Sequence, residues 1–359
     1  MNIRRGIPEI DVVIPVYRPD ERLHRLLLLL QEQTVKPSRI LLVNTEKELF
    51  DPSVLDGIDN VEVIHIRKQE FDHGGTRHMA AGRLRGAFLL FLTQDAVPAD
   101  TKLIANLYRM METPLPQEQA GRLQKKAREK WENRTSEGIP SGTSRKPDEV
   151  FCDAGKVCVA YACQLPASDC GELECFTRQF NYGSKDRIKT IDDLEELGIK
   201  TYFCSDVCAM YRRSSYEQLG GFVRRTIFNE DMIFAAKVIQ NFGAVGYCAQ
   251  AKVVHSHNYS GTQQFHRNFD MGVSQAEHPE VFEAVPSEGE GIKMVKQSAV
   301  YLWKNKKGYL LPKLIWHSGC KYLGYRLGKA YQKLPGWLVK RCTMSPGYWE
   351  SSRDRNRYS

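Results

Sequence analysis

Within its first hundred residues the sequence switches repeatedly between short β-branched runs and segments of helical period. Ile10 to Val16 (IDVVIPV) reads as a buried strand whose far end opens into Tyr17-Arg18-Pro19-Asp20. A helix follows: Asp20 can cap it, Glu21 suits its positive end, and Leu23, Leu26, Leu27 and Leu30 recur at helical spacing before Pro37. Ile40 to Val43, Val61 to Ile66 and Phe88 to Thr93 are further strands, with a helix at Thr76 to Arg85 between the last two. Such alternation predicts an α/β fold, a parallel sheet covered by helices that binds ligands beyond the carboxyl ends of its strands. Those ends are chemically loaded: Tyr17 and Arg18, Asn44 and Thr45, Gln94 and Asp95.

From Leu115 to Glu149 the pattern gives way to a polar, basic stretch with Gly, Ser and Pro toward its end, read as a surface insertion that is helical at first and then flexible. Order returns with strands at Lys156 to Ala162 and Thr201 to Cys204, and with a helix at Ser214 to Leu219 closed by Gly220-Gly221. A helix over Asp231 to Asn241 leads into strands at Ala244 to Ala249 and Ala251 to His257. After about His266 aromatic and basic helical patterns take over, which divides the chain into 1–265 and a helical extension, 266–359.

Of the 359 residues 42% are hydrophobic and 26% charged, as in an ordinary globular protein. The longest apolar runs, Leu26 to Leu30 and Ala87 to Leu92, fall far short of the roughly 18 residues that span a bilayer. The opening MNIRRGIPEIDVV has no apolar signal-peptide core, and the ten cysteines form no CxxC pair, so reduced thiols in the cytosol are expected. Cys170, Cys175, Cys204 and Cys208 are the alternative, a zinc set, but they lack metal-ligand spacing. The net charge of +8 is segregated: Lys293 to Ser359 carries 15 Lys and Arg against Glu350 and Asp354, a balance of +13 that leaves −5 elsewhere. A basic tail of this kind suits an anionic surface. Nucleic acid is disfavoured as the partner, because the candidate site itself is acidic and rich in histidine.

Neither GxGxxG nor GxxxxGK[ST] occurs, so a phosphate ligand would need cations rather than a glycine cradle. Arg77 in Phe71-Asp72-His73-Gly74-Gly75-Thr76-Arg77 is one candidate. The two glycines there either admit an anion to the start of a helix or belong to a capped turn. His255-Ser256-His257 places two imidazoles on one side of an extended segment, a pattern for metal or phosphate that Asp95 could complete. Glu230 and Asp231 open a helix, where acidic residues are favoured by the helix dipole alone; a carboxylate there could equally be a general base.

Taken in order, DVVIPVYRP, FDHGGTRHMAAG, FLTQDAVPAD, FNEDMIFAAKVIQNFG and VVHSHNYS resemble the family 2 glycosyltransferases of GT-A fold, and nearest the bacterial rhamnosyltransferase branch. The resemblance implies a Rossmann-like, mostly parallel twisted sheet and an inverting transfer from a nucleotide-diphosphate sugar, with dTDP-rhamnose as the donor. It implies that Pro15, Tyr17, Arg18, Asn44, His73, Gly74, Arg77, Gln94 and Asp95 meet that donor. Asp95, His255 and His257 would hold a divalent metal, Mn²⁺ or Mg²⁺, and Asp231, beside Glu230, would be the base. Thr93-Gln94-Asp95 keeps only one carboxylate of the family's DxD, and Asn44-Thr45-Glu46 departs from its acidic second-strand loop.

Acceptor contacts are expected from Arg178, Asn181, Tyr182 and Asp206, and the acceptor is expected to be a glycan or lipid-linked glycan. In the tail Trp303, Tyr309, Leu310, Leu311, Ile315 and Trp316 interleave with Lys304, Lys306, Lys307 and Lys313. That mixture fits either a helix lying on the inner membrane face or packing onto the catalytic domain. A non-catalytic nucleotide-sugar-binding scaffold is the alternative function. A nucleotidyltransferase is a further one, but GGTR lies some 60 residues too late in the chain for it.

Overall fold

The computed structural model of the protein describes residues 8–136, 153–283, 285 and 288–350. Its single sheet has the strand order β3-β2-β1-β4-β8-β6-β9-β5, with β7 paired to β9 outside that path. The strands are β1 (Ile10–Tyr17), β2 (Arg39–Thr45), β3 (Val61–Ile66), β4 (Phe88–Leu92), β5 (Val97–Pro98), β6 (Val157–Leu165), β7 (Arg187–Lys189), β8 (Cys208–Arg212) and β9 (Ala244–Val254). Helices of seven or more residues are α1 (Glu21–Gln31), α2 (His73–Arg83), α3 (Leu103–Met111), α4 (Gln117–Ser136), α5 (Glu172–Asn181), α6 (Glu230–Gln240), α7 (Gly261–Glu277), α8 (Glu288–Lys304), α9 (Leu311–Lys329) and α10 (Gly336–Cys342).

Strand direction positions the site. Tracing the pairings, six strands (β1 to β4, β6 and β9) run one way and three (β5, β7 and β8) run against them. The mostly parallel expectation therefore holds, with β8 inserted antiparallel between β4 and β6. The carboxyl ends of β1, β2, β4, β6 and β9 all emerge along one edge, and so does the start of β8. Alternation along β1 sends Val12, Ile14 and Val16 into one core with α1 and α3, and Val13 into the other with α2 and α6. On α1, Asp20 accepts from the backbone N–H of Arg22, and Leu23, Leu26, Leu27 and Leu30 are buried, as their spacing predicts.

Two segments differ from expectation. Thr201 to Cys204 is no strand; residues 198–202 form a 3₁₀ turn, and the strand is the next apolar run, Cys208–Arg212. Both runs are short and apolar, so periodicity alone could not separate them. The stretches at 244–249 and 251–257 form one strand, β9, ending at Val254, with a register shift against β6 near Ala162. The basic insertion begins as helix α4, whose Leu123 and Ala127 are buried and whose Arg122 and Lys126 pair with Asp192. It is thus docked on the domain over that length, and the remainder, 137–152, lies outside the described residues.

The tail is stitched to the catalytic core. α7 and α9 cross backbone to backbone through Gly272, Gly324 and Gly328: a Cβ at Gly328 would lie 2.1 Å from the carbonyl oxygen of Phe269, and one at Gly324 2.2 Å from that of Phe265. Tyr331, Tyr348 and Trp349 share a small core with Ile227 and Phe269. Asp270 accepts from the hydroxyl of Thr343 (2.6 Å) and the amide of Met344 (2.9 Å). Trp303, Tyr309, Ile315 and Trp316 stay largely exposed.

Candidate active site

Asp95 follows β4, and His255 and His257 follow β9, so the strand directions bring them together. His255 Nε2 lies 3.6 Å from Asp95 Oδ1, and His257 Nε2 lies 3.4 Å from Asp95 Oδ2. One ligand atom from each of the three lies within 4.8 Å of the others. The hydrogen bonds around His255 fix its tautomer. Gln164, at the end of β6, donates its amide to the Ser205 hydroxyl (2.9 Å), and its Oε1 accepts from Arg178 and, at 3.1 Å, from His255 Nδ1. Nε2 then keeps its lone pair, aimed at a carboxylate oxygen. Two lone pairs facing each other at that distance leave a place for a cation, and an imidazole oriented through its other nitrogen is the usual support of a metal ligand. Burial pushes the His255 pKa down to about 3, which keeps the ring in its neutral, ligating form. These residues fit a divalent metal.

Among the described residues no other such cluster occurs, so the four-cysteine zinc set does not form. The nine described cysteines are unpaired, and burial holds the Cys204 and Cys208 thiols well above their usual pKa.

The second half of the site surrounds the start of α6. Arg77 on α2 is 4% exposed; its Nη1 lies 3.1 Å from Glu230 Oε1 and its Nε 3.5 Å from Asp206 Oδ2. Asp231 accepts from the backbone amides of Asp206 (3.0 Å) and Met232 (2.7 Å), and Tyr211 donates to Asp206 (2.5 Å). Two carboxylates thus share one guanidinium, with the third, Asp231, held beside them by backbone amides. Burial and the neighbouring Glu230 push Asp231 up to about 7, while burial drives Asp206 well above the carboxylate range. Because Gln164 holds Ser205 and the next residue's amide holds Asp231, one line of polar contacts joins His255 to Asp231.

Other residues singled out by sequence have varied placements. Gln94 closes the gap between β1 and β4, accepting from the Tyr17 amide (2.8 Å) and donating to the Tyr17 carbonyl (3.0 Å). Tyr17 is exposed, with Arg18, at φ 50°, stacked 5.3 Å from its ring; Pro15 is half-buried in the same strand end. Asn44 is fully buried and shapes the β2 loop by donating to Glu46 O (3.0 Å). The HGGTR segment is a capped turn: Asp72 accepts from the Gly75 amide (2.6 Å), and Gly74 leaves room for the Val223 carbonyl, which a Cβ would approach to 2.3 Å. His73 lies 3.8 Å from Glu230. Arg178 is tied to Glu174 and Gln164 behind the metal-ready triad, Asp206 is sequestered with Arg77, Tyr182 is buried, and Asn181 lines the adjoining cavity.

Two participants escaped the sequence reading. Gln164 could have been noticed as a polar residue ending a buried strand. Arg267 on α7 carries no such signal; its guanidinium lies 4.6 Å from the Phe228 ring and 5.9 Å from that of Tyr259, which stacks on His257. Among the described residues no carboxylate pairs with it.

An α/β sheet with a metal-ready triad and a proton-poised carboxylate joined along one edge defines an enzyme scaffold for chemistry on an anionic ligand. The family model "Glycosyl transferase family 2" matches residues 11–220. The chain is 33% identical over 345 residues, 96% of each chain, to the O-antigen chain rhamnosyltransferase RfbN of Salmonella typhimurium. It is also 33% identical over 353 residues, 96% of this chain and 97% of the relative, to the O-antigen chain rhamnosyltransferase WbaN of Salmonella anatum. Among solved structures, similarity extends to the mannosyltransferase PcManGT of Pyrobaculum calidifontis in complex with GDP-Man and Mn²⁺ (11% identity, 97% of this chain and 87% of that one, TM-score 0.47). Another is S. aureus TarS 1–349 in complex with UDP-GlcNAc (13% identity, 90% and 92%, TM-score 0.44). The chain belongs to glycosyltransferase family 2, and its fold is GT-A.

Proposed function

We propose that the enzyme transfers L-rhamnose from dTDP-rhamnose, with inversion, to a hydroxyl of a growing, lipid-linked cell-surface polysaccharide. The donor sugar and the polysaccharide rest on the relatives' activities. What supports the inverting step is the line His255–Gln164–Ser205–Asp206–Asp231, which sets a base beside a place for the diphosphate's counter-ion.

Asp231 takes the proton of the acceptor hydroxyl as that oxygen attacks the anomeric carbon and the bond to the diphosphate breaks; a pKa near 7 suits this role. Glu230 stays paired with Arg77, and its charge raises the basicity of Asp231. Asp95, His255 and His257 would hold a divalent cation, Mn²⁺ more readily than Mg²⁺ given the mixed nitrogen and oxygen donors, which supplies positive charge beside the leaving diphosphate. Arg267, left without a carboxylate, adds the second positive charge that Arg77, already neutralised, does not offer. Tyr17, Arg18 and Gln94 form the rim for base and ribose, and Asn181 and Tyr182 face the acceptor side.

No helix among the described residues is long and apolar enough to cross a membrane. Trp303 and Tyr309, 74% and 76% exposed, together with Ile315, Trp316 and the surrounding lysines suit peripheral contact with an anionic lipid face.

Thermal shift with dTDP-rhamnose, GDP-mannose and UDP-GlcNAc, each with and without Mn²⁺, tests the donor: dTDP-rhamnose should stabilise most, and only with metal. Acceptor-dependent release of dTDP should follow. Metal-independent stabilisation with no dTDP released by any acceptor would favour the scaffold alternative instead. Flotation with anionic liposomes tests the tail; Trp303→Ala combined with Tyr309→Ala should reduce partition, and undiminished partition would refute that contact.

A further inference from the structure

A partly open cavity of about 880 Å³ lies between α5, α7, α8 and α9 and has two chemically different ends. The inner end is walled by His257 of the triad, by Tyr259 stacked on it, and by Asn229 and Met232, which flank Glu230 and Asp231 in the chain. The outer end is walled by Ile292 and Tyr322, which are also 59% and 62% exposed on the same surface as the aromatic ridge of the tail. Leu173, Met271, Met294, Val295 and Leu314 give the middle an apolar lining.

The charges along this passage are mostly of one sign. Lys296, Lys313 and Lys321 line it, and burial pushes the Lys321 ammonium pKa down. Of the two acidic residues lining the cavity, Glu174 is occupied by Arg178 at 2.5 Å, which leaves Asp169. An apolar passage with surplus ammonium groups matches an amphiphile with a long hydrocarbon tail and a phosphate head. Neither a free sugar nor a neutral lipid meets both demands.

We infer that this cavity holds the long hydrocarbon chain and phosphate of the acceptor, admitting it between α8 and α9 from the exposed ridge and delivering its glycan end to Asp231. The inference rests on the reading of the acceptor as lipid-linked. It adds a binding site built mainly by the helices that flank the sheet, closed at its inner end by the loop after β9.

Titration of the full-length protein with farnesyl phosphate, kept below its micelle concentration and followed by calorimetry, tests it without any sugar transfer. Farnesyl phosphate should bind at least 10-fold more tightly than farnesol, and inorganic phosphate should not bind. Lengthening an alkyl phosphate should tighten binding by up to about fourfold per methylene until the cavity is filled. Val295→Arg should weaken farnesyl phosphate binding at least 10-fold while leaving dTDP binding and melting temperature unchanged, and Lys321→Gln should lose the preference for phosphate over farnesol. No binding, equal binding by Val295→Arg, or tighter binding of dihexanoyl phosphatidylglycerol, which would assign the cavity to bulk phospholipid, each overturns the proposal. Failure of the donor reading would instead appear as loss of dTDP binding, with this titration intact.

Discussion

Arg77 Nη1 lies 3.1 Å from Glu230 Oε1 inside the protein, which makes this arginine a strut between α2 and α6. Removing one partner of a buried ion pair leaves the other charge uncompensated and costs about 3–5 kcal/mol. Arg77→Met should therefore lower stability by about that amount in urea unfolding and, by removing a positive neighbour, raise the Asp231 pKa further. An arginine that only contacted donor would lower dTDP affinity with unfolding midpoints unchanged; that pattern would reject the strut.

Asp231→Asn keeps the shape of the side chain and removes the proposed base, so on that reading turnover should fall by about 10² to 10⁴ with affinity for the proposed donor, dTDP-rhamnose, nearly intact. The wild-type rate should rise with pH, since the carboxylate must be unprotonated to accept a proton, and level off above about 7. The rising limb should be absent from the residual activity of the variant. A wild-type profile flat from pH 5 to 8 would remove Asp231 as the base.

Gln164 accepts from His255 Nδ1 and would act on the proposed metal site through it, as a positioning residue. Gln164→Leu should weaken Mn²⁺-dependent dTDP binding about 10- to 100-fold, the usual cost of losing a partner behind a ligand, with little change in metal-free binding. His255→Ala and Asp95→Ala should abolish the metal dependence itself. If chelation with EDTA leaves dTDP affinity unaltered in the wild type, the triad is not a metal site.

These cases show what the sequence could carry. Strand identity was legible at β1 and β4 because both are short apolar runs, valine- and isoleucine-rich in β1 and built of Phe and Leu in β4, each followed by polar residues. The pairing of His255 with His257 was legible because period two is a property of the backbone. The partners of Arg77 were not, since an arginine four residues after His73 looks alike whether it faces a diphosphate or two carboxylates far away in the chain, Asp206 and Glu230. Gly74 and Gly75 were ambiguous for the same reason: room for a ligand and room for the Val223 carbonyl impose one requirement on the residue. Arg267 lay hidden because its contact with Phe228 spans 39 residues and its contact with Tyr259 crosses the turn into α7, neither of which follows a helical or strand period.

Asp270 makes a prediction about pH and stability. Burial pushes its pKa up to about 7 despite hydrogen bonds from Thr343 and Met344, against about 3.9 for an unfolded aspartate. A raised native pKa means that the protonated form favours folding: its contribution is complete below about pH 4 and is lost as pH rises through about 7. Melting temperatures of wild type should accordingly fall across pH 4 to 7 relative to Asp270→Asn, which cannot ionise. The slope matters rather than the offset, because asparagine also loses one of the two hydrogen bonds. Parallel curves for the two proteins would show that Asp270 does not titrate in this window.

Two glycines on α9 should respond in opposite directions to the same substitution. At Gly328 a new methyl group would sit 2.1 Å from the Phe269 carbonyl, a backbone atom that moves only if α7 and α9 separate. Overpacking of this kind costs about 1–3 kcal/mol or more. Gly319, nine residues earlier, meets nothing within 4 Å, so Gly319→Ala adds helix propensity and removes freedom from the unfolded chain, a gain of about 0.4–1 kcal/mol. Gly328→Ala should also disturb the cavity between these helices and weaken farnesyl phosphate binding, whereas Gly319→Ala should leave it alone. The comparison holds residue type and helix constant and contrasts the buried Gly328 with the exposed Gly319. Equal stability changes at both positions would mean that the α7–α9 crossing is looser than the backbone contacts at Gly324 and Gly328 require.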